Sequence, residues 1–503
     1  MALPLDETQP LLRPSSVDTD RFERQTSGAK DIVDFDPNGD AEDPTEWPVD
    51  FKWGIVALLA CMAFTVTVTC TSVVPIANDI GHDLSSGAPS KSASVILVTI
   101  WELGEAAGPL LIAPLSEVYG RYPVMNAANT LFTLATILAA LSTSLPVFIT
   151  ARALTGLSVA TNVLGPAIVG DMFASEQRGS PMSLVMLAPL IGGAVGPAIS
   201  GAVAETLGWR QVVWIGAGMA AACEVLFLAC FRETYKVSIL RRKAARLRAE
   251  SGNVLLRTEF DIPYKDGVAK QRQDADKPLR DAVLRPAIVL SGSGVLLALS
   301  LFGSVVYAYD YVMCVTLPDI LQNMYGLSPA AMGSCFMSFS AGSFLSVLVC
   351  NAYLDRIYVS LRDARGGAEK PEYRLPLAAI GAFTMPLAVA LYGWIAQLAL
   401  PLPLMLLSVG FLGATLMLAF IPLTAYVVDA FRLYSASAMT GMVVIRCLMG
   451  TFLPLTTSPL VDRFGYGWAF TVFAVFSLCL APIPLLIQRY GWRWRQSSKH
   501  TRE

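Results

Sequence analysis

Asp171-Met172-Phe173, followed by Met182, Gly193, Pro197 and Gly208-Trp209, recurs as Asp429-Ala430-Phe431, Met439, Gly450, Pro454 and Gly467-Trp468. Matching residues lie 258, 257, 257, 257 and 259 positions apart, so the 503-residue chain is a tandem duplication. Working outward, apolar stretches that approach the roughly 20 residues a bilayer crossing requires cover 53–77, 93–115, 122–143, 146–170, 181–204 and 210–231. Six more cover 286–309, 331–353, 376–397, 403–427, 436–459 and 467–487. An even number of crossings per copy gives both copies one orientation, so an axis along the membrane normal relates the halves. The expected fold is an all-α membrane protein of twelve transmembrane helices in two parallel six-helix repeats. Its expected parts are an acidic tail 1–52, a bundle 53–231, a linker 232–285, a second bundle 286–487 and a tail 488–503.

Composition agrees with this plan. The chain is 54% hydrophobic, with a mean hydropathy of +0.54 and 15% charged residues, where soluble domains carry about 25%. Charges cluster: 18 in residues 1–52, 22 in 232–285, 9 in 355–374 and 6 in 489–503, leaving 21 for the other 362 residues. No water-soluble fold covers its surface so sparsely. The nine cysteines fall in apolar stretches without paired spacing, and the two histidines, His82 and His500, stand apart. Disulfides, metal ligation and histidine catalysis therefore have little to build on. No cofactor is expected, and a net charge of -2 gives no sign of nucleic acid binding.

With both termini cytoplasmic, the inner side holds 32 Lys and Arg, against Lys91, Arg210 and Arg463 outside; Arg152 and Arg446 lie within spans. The positive-inside rule sets that orientation. The N-terminal tail lacks a basic start followed by a short apolar run, so the first span is expected to direct insertion. Glu7-Thr8-Gln9-Pro10-Leu11-Leu12 has the acidic-dileucine form of a vacuolar sorting signal, a pattern that acidic tails also produce by chance. Arg241, Arg242, Lys243, Arg246 and Arg248, with Leu240 and Leu247, predict a basic linker helix on the anionic inner leaflet.

Span 2 ends in Glu117-Val118-Tyr119-Gly120-Arg121. Gly120 permits a tight turn, and Glu117 and Arg121 stand at the ends of two helices, where a charge pair can lock one half against the other. An ordinary charged joint would look the same. Here the sequence resembles the major facilitator superfamily, which carries an acid and then Gly-Arg between spans 2 and 3. Tyr122 replaces the usual basic residue, and the second-half counterpart Asp355-Arg356-Ile357-Tyr358 is degenerate. Glu117, Gly120, Arg121, Asp171 and Asp429 are the expected conformational gate. In span 5, Gly192, Gly193, Gly196, Pro197 and Gly201 expose backbone for close packing. Their pattern is similar to the antiporter signature of drug:proton exporters, and it implies export. Asp43-Pro44-Thr45-Glu46-Trp47, Arg232-Glu233-Thr234-Tyr235 and Ala481-Pro482-Ile483-Pro484 resemble the twelve-span fungal drug:proton antiporters. The likeness runs from about residue 43 to 490.

Glu102 and Glu105, three residues apart, share one helical face in mid-span 2. Two adjacent carboxylates in a low dielectric cannot both stay ionised, which is what a proton-coupling group requires. A structural pair neutralised by Arg152 or Arg446 is the competing account. Arg152, within span 4, needs a partner; the resemblance ties its position to proton coupling. Relatives carry their acid in span 1, which here has no charge. Arg446 is the natural counter-charge from the opposite half, with Asp310 and Glu224 weaker candidates. Tyr307, Tyr309 and Tyr311 either line an outer cavity or anchor a span end at the interface. The whole predicts a monomeric, proton-driven exporter of small organic molecules in the plasma membrane, the vacuolar membrane being the alternative. Its partners are the substrate, protons and the bilayer. An importer or organelle carrier remains open, and no clustered His, Asp or Cys site supports a polytopic enzyme.

Overall fold

The computed structural model describes residues 32–36, 39–85, 91–174, 177–253, 256–258, 276–364, 366, 370–431 and 435–496; the dileucine motif lies outside them. Span 1 is Val49–Thr71, continued through a turn at Val74–Ile76 into Ala77–Leu84. Spans 2 and 3 are Lys91–Tyr119 and Arg121–Ala140, and span 4 is Leu145–Leu157 with Thr161–Met172. Spans 5 and 6 are Gly179–Leu207 and Trp209–Cys230. In the second half, span 7 is Gly294–Tyr325, span 8 is Pro329–Cys335 with Met337–Ala364, and spans 9 and 10 are Leu375–Gln397 and Leu402–Phe431. The apolar stretch Ser437–Gln496 has 60 residues, too many for one crossing at about 1.5 Å per residue. Its backbone turns at Gly465, where φ is 75°. It therefore supplies spans 11 and 12, making the twelve that the duplication requires.

Span 7 departs from expectation. A helix Asp276–Ser291 precedes it, beginning inside the stretch assigned to the linker, and the span itself reaches Tyr325 rather than 309. Asp310 and Asp319 interrupt the apolar run in sequence, yet both face protein rather than lipid. Tyr307 and Tyr311 consequently lie in the middle of the span and cannot be interfacial anchors.

Lipid tails are as apolar as leucine, so helices here associate through close packing and buried polar contacts. A methyl on Gly104 would collide with the Ala153 carbonyl, and one on Gly156 with that of Trp101. Spans 2 and 4 therefore touch backbone to backbone, seating Trp101, Glu102 and Glu105 beside Arg152. Gly192 and Gly196 of span 5 face Phe64, Thr67, Val68 and Thr71 of span 1, and Gly193 lies near Thr67.

The halves also meet on the face away from the termini. Gly201 of span 5 packs on the Pro329 carbonyl of span 8, and Gly333 of span 8 packs on the Pro197 carbonyl of span 5. Asn78 donates to Asp319 at 2.7 Å, and Glu205 accepts from the Ala330 N–H at 3.2 Å. The antiporter-like motif thus spans two interfaces, one within its half and one across the boundary.

At the face carrying the termini, the charged contacts named next close within each half. Gly120 takes φ 101°, and the Glu233 carboxylate occupies the space where its side chain would be. Glu233 accepts from the N–H groups of Arg121 (2.8 Å), Tyr122 (3.3 Å) and Tyr235 (3.0 Å), capping the start of span 3. Arg121 pairs with Asp171 at 3.4 Å, bonds Ser116 and stacks on Tyr235. Glu117 is exposed and takes no part, so the expected lock between Glu117 and Arg121 is replaced by a pair inside the first half. The second half repeats the device with other residues: Arg374 bridges Asp429 and Asp355, each at 2.6 Å. Beside it the buried Arg495 holds Glu372 through two bonds, at 2.9 and 3.3 Å.

Candidate functional site

Between the halves, at mid-span, spans 2 and 4 of the first bundle face spans 7, 10 and 11 of the second. Glu102 is fully buried. Its Oε1 accepts from the Tyr311 hydroxyl at 2.6 Å, across the boundary, while Oε2 is buried without a hydrogen-bond partner and faces Gly450. A Cβ on Gly450 would stand 3.3 Å from that oxygen, so the repeated glycine of span 11 leaves room for the acid of span 2.

Glu105, one turn on, has the opposite surroundings. It accepts from Trp101 Nε1 (3.3 Å) and Asn162 Nδ2 (3.1 Å), and it pairs with Arg446 of the other half at 3.5 Å. Arg446 lies over the Tyr307 ring, 4.4 Å from its centroid, and Tyr307 packs on Tyr311 and Phe420, each at 5.9 Å. The two carboxylates that look equivalent in sequence thus differ in partners: Glu105 is ion-paired with Arg446, and Glu102 is held by neutral donors, the Tyr311 hydroxyl and the Cys447 thiol, with no ion pair of its own. Thr451 adds a further cross-boundary bond, to the Thr99 carbonyl at 3.4 Å.

Arg152 is buried, but its partners are carbonyls. It donates to Thr69 O and Cys70 O, both at 3.0 Å, and lies 4.9 Å from the Trp101 ring. Those oxygens belong to the last turn of the Val49–Thr71 helix, where carbonyls lack intrahelical partners. Arg152 therefore caps the break in span 1, and through Trp101 it adjoins Glu105.

Asp310 is partly exposed, with the Cys314 thiol of its own helix 3.8 Å away. Tyr309 turns the other way, its hydroxyl donating to Phe473 O inside the second half, so it does not line the gap. Glu224 accepts from Thr130 at 3.2 Å within the first half, away from the layer. Asn162, Trp101 and Phe420 went unnoticed in the sequence; Asn162, an amide in an apolar run ten residues after Arg152, carried the one usable signal. Among the described residues no cluster of His, Cys, Asp or Glu could hold a metal ion.

The family model described as Major Facilitator Superfamily matches residues 54–454. The chain belongs to that superfamily, and it is a multi-pass membrane protein. Related sequences span nearly the whole chain. The efflux pump radE of Floropilus chiversii is 34% identical over 98% of this chain and 89% of its own length. The MFS-type transporter tndD of Aspergillus flavipes is 31% identical over 93% of this chain and 86% of its own. Among solved structures, a D-xylose-proton symporter superposes with a TM-score of 0.63 at 16% identity, covering 87% of this chain and 97% of that one. An inward-facing, unoccupied bacterial homolog of the lysosomal transporter Spinster gives 0.64 at 12% identity, covering 89% and 99%. At such identities the structural likeness speaks for the superfamily fold alone.

Proposed function

We propose that this superfamily member is a proton-coupled exporter of small organic molecules, such as drugs, toxins or secondary metabolites, working by alternating access. The observation that carries the proposal is the buried Glu102 hydrogen-bonded across the boundary to Tyr311, beside the compensated Glu105–Arg446 pair. Any rocking of the halves must separate Glu102 from Tyr311 and Glu105 from Arg446 together. A proton gained or lost at Glu102 changes the charge of a layer that both halves share, which is how protonation biases one arrangement over the other. Glu105 and Arg152 complete the relay: Glu105 anchors the latch, and Arg152 ties the layer to the break in span 1. Tyr307, Tyr311, Asp310 and Arg446 line the substrate cavity, offering aromatic area with polar tips to amphipathic molecules.

Both termini are cytoplasmic in this proposal, from the excess of Lys and Arg on their side. The contacts on the opposite face then lie on the extracellular side. The Arg121–Asp171 and Arg374–Asp429 pairs brace the cytoplasmic ends of the two bundles. The chain works as a monomer in the plasma membrane. The efflux name of the Floropilus relative and the span 5 glycines favour export over uptake. Inside-out plasma-membrane vesicles bearing the chain test this. They should concentrate amphipathic test compounds when the interior is acidified, and a protonophore should collapse the accumulation. Accumulation indifferent to the protonophore contradicts proton coupling, and loading of intact cells instead of vesicles contradicts export.

A further inference from the structure

The linker helix Lys236–Ser251 does not present its apolar face to a leaflet, contrary to expectation. Ile239, Leu240 and Ala244 are buried against the protein, Leu240 completely. The exposed surface of the helix carries Arg241 and Arg242 and, on one face, a cationic stripe of Lys236, Lys243 and Arg246 at spacings that share that face. The described residues of the stretch 32–47, which are 32–36 and 39–47, lie along that stripe. They contain six acids (Asp34, Asp36, Asp40, Asp43, Glu42 and Glu46) and no Lys or Arg.

The match is residue by residue. Lys236 pairs with Asp34 at 3.3 Å, Lys243 with Asp40 at 2.5 Å and Arg246 with Glu42 at 2.9 Å. Phe35 sits between the two lysines, whose Nζ atoms lie 5.5 and 5.7 Å from its ring centroid. Both ends of the segment are fixed. Ile32–Val33 pair as a parallel strand with Arg257–Thr258, just beyond the linker helix. At the other end Asp43 caps the turn Pro44–Glu46, Trp47 is buried and bonds Ala41 O, and Lys52 of span 1 donates to Thr45 O. The Lys243–Asp40 pair is the sheltered one, with side chains 17% and 12% exposed, and the Lys243 hydrogen bond holds the Asp40 carboxyl below its ordinary range. A depressed carboxyl contributes stability above its ordinary range and loses it only as pH falls through its own lowered value. At neutral pH the contact is therefore fully formed and responds to ions rather than to protons.

We propose that residues 32–47 are an acidic strap that occupies the place of anionic phospholipid headgroups on the linker helix. Bound, the strap neutralises Lys236, Lys243 and Arg246 and keeps the linker on the first bundle. Released, it yields that stripe to the anionic leaflet, so membrane composition and strap compete for one surface. The strap is a brake on the seating of the linker that lies between the halves.

Hydrogen exchange of the full chain in nanodiscs tests this, comparing pure phosphatidylcholine with a mixture containing phosphatidylserine. In the wild type, residues 32–47 and 236–251 should be protected equally in both lipids. In the variant Asp40→Asn with Glu42→Gln, exchange of both segments in the neutral nanodisc should rise by about tenfold. Phosphatidylserine should then restore protection of the linker helix while the strap stays fast. The swap Asp40→Lys with Lys243→Asp should re-protect the strap in either lipid. A strap still protected in the first variant, a swap that fails to re-protect it, or a linker helix indifferent to phosphatidylserine would each overturn the proposal.

Discussion

The middle of the molecule and its terminal face use the same chemistry, buried or half-buried carboxylates with arginine, but connect it differently. At the terminal face Arg121–Asp171, Arg374–Asp429 and Arg495–Glu372 each join residues of one bundle. At mid-span Glu105–Arg446 and Glu102–Tyr311 join one bundle to the other. Contacts of the first kind survive a rigid-body movement of the halves, and those of the second kind do not. The terminal pairs therefore brace each bundle as a unit, and the mid-span layer is where a change of charge alters the balance between arrangements.

The largest effect expected from this contrast is at Arg446. Arg446→Gln leaves Glu105 buried without its counter-charge, a loss of about 3–5 kcal/mol. It should appear as a marked fall in the thermal unfolding temperature of the detergent-purified protein. The double variant Glu105→Gln with Arg446→Gln should recover most of that stability without recovering transport. Equal stability of the single and double variants would show that the pair is not coupled.

A smaller effect follows at the distal contact. Gly201→Val forces spans 5 and 8 apart where they touch through backbone, an overpacking cost of about 1–3 kcal/mol. Its signature is a shift toward the arrangement open on the distal face, seen as faster labelling of a cysteine placed in the gap from that side. The same substitution at Gly218, where a Cβ meets nothing within 4 Å, should change neither labelling nor stability.

The smallest effect is at the terminal face. Arg374→Lys gives up the two-armed bridge to Asp355 and Asp429, half of it solvent-facing, and should cost at most about 1 kcal/mol. Transport should persist, with the loss largest at low salt. Loss of transport as complete as in a mid-span variant would break the distinction between bracing and coupling contacts.

The sequence carries the twelve spans and their duplication because bilayer crossing demands long apolar runs, and a repeat keeps its turn glycines. It carries the two acids of span 2 for the converse reason: a charge inside such a run stands out. It does not carry their partners. Tyr309 and Tyr311 look interchangeable in sequence, but two helical residues apart they point to nearly opposite sides, one to Phe473 and the other to Glu102. Span 7 looks shorter in sequence because Asp310 and Asp319 end an apolar window, although Asp319 bonds Asn78 of the opposite bundle. The expected Glu117–Arg121 pair is only four residues apart in sequence, yet the arginine reaches fifty residues ahead, to Asp171, because Glu233 holds the intervening turn. A strap over the linker helix was hidden likewise, since acids and bases some two hundred residues apart show no pattern until the chain is folded.

The central claim is that Glu102 carries the coupled proton, and it is tested most directly by separating exchange from proton-driven movement. Purified Glu102→Gln in proteoliposomes should still exchange internal for external labelled substrate at near the wild-type rate. Its net movement under an imposed pH gradient should fall by at least about 100-fold, the scale on which loss of a positioned proton-transfer group is felt. Net pH-driven transport equal to wild type in Glu102→Gln would contradict the account.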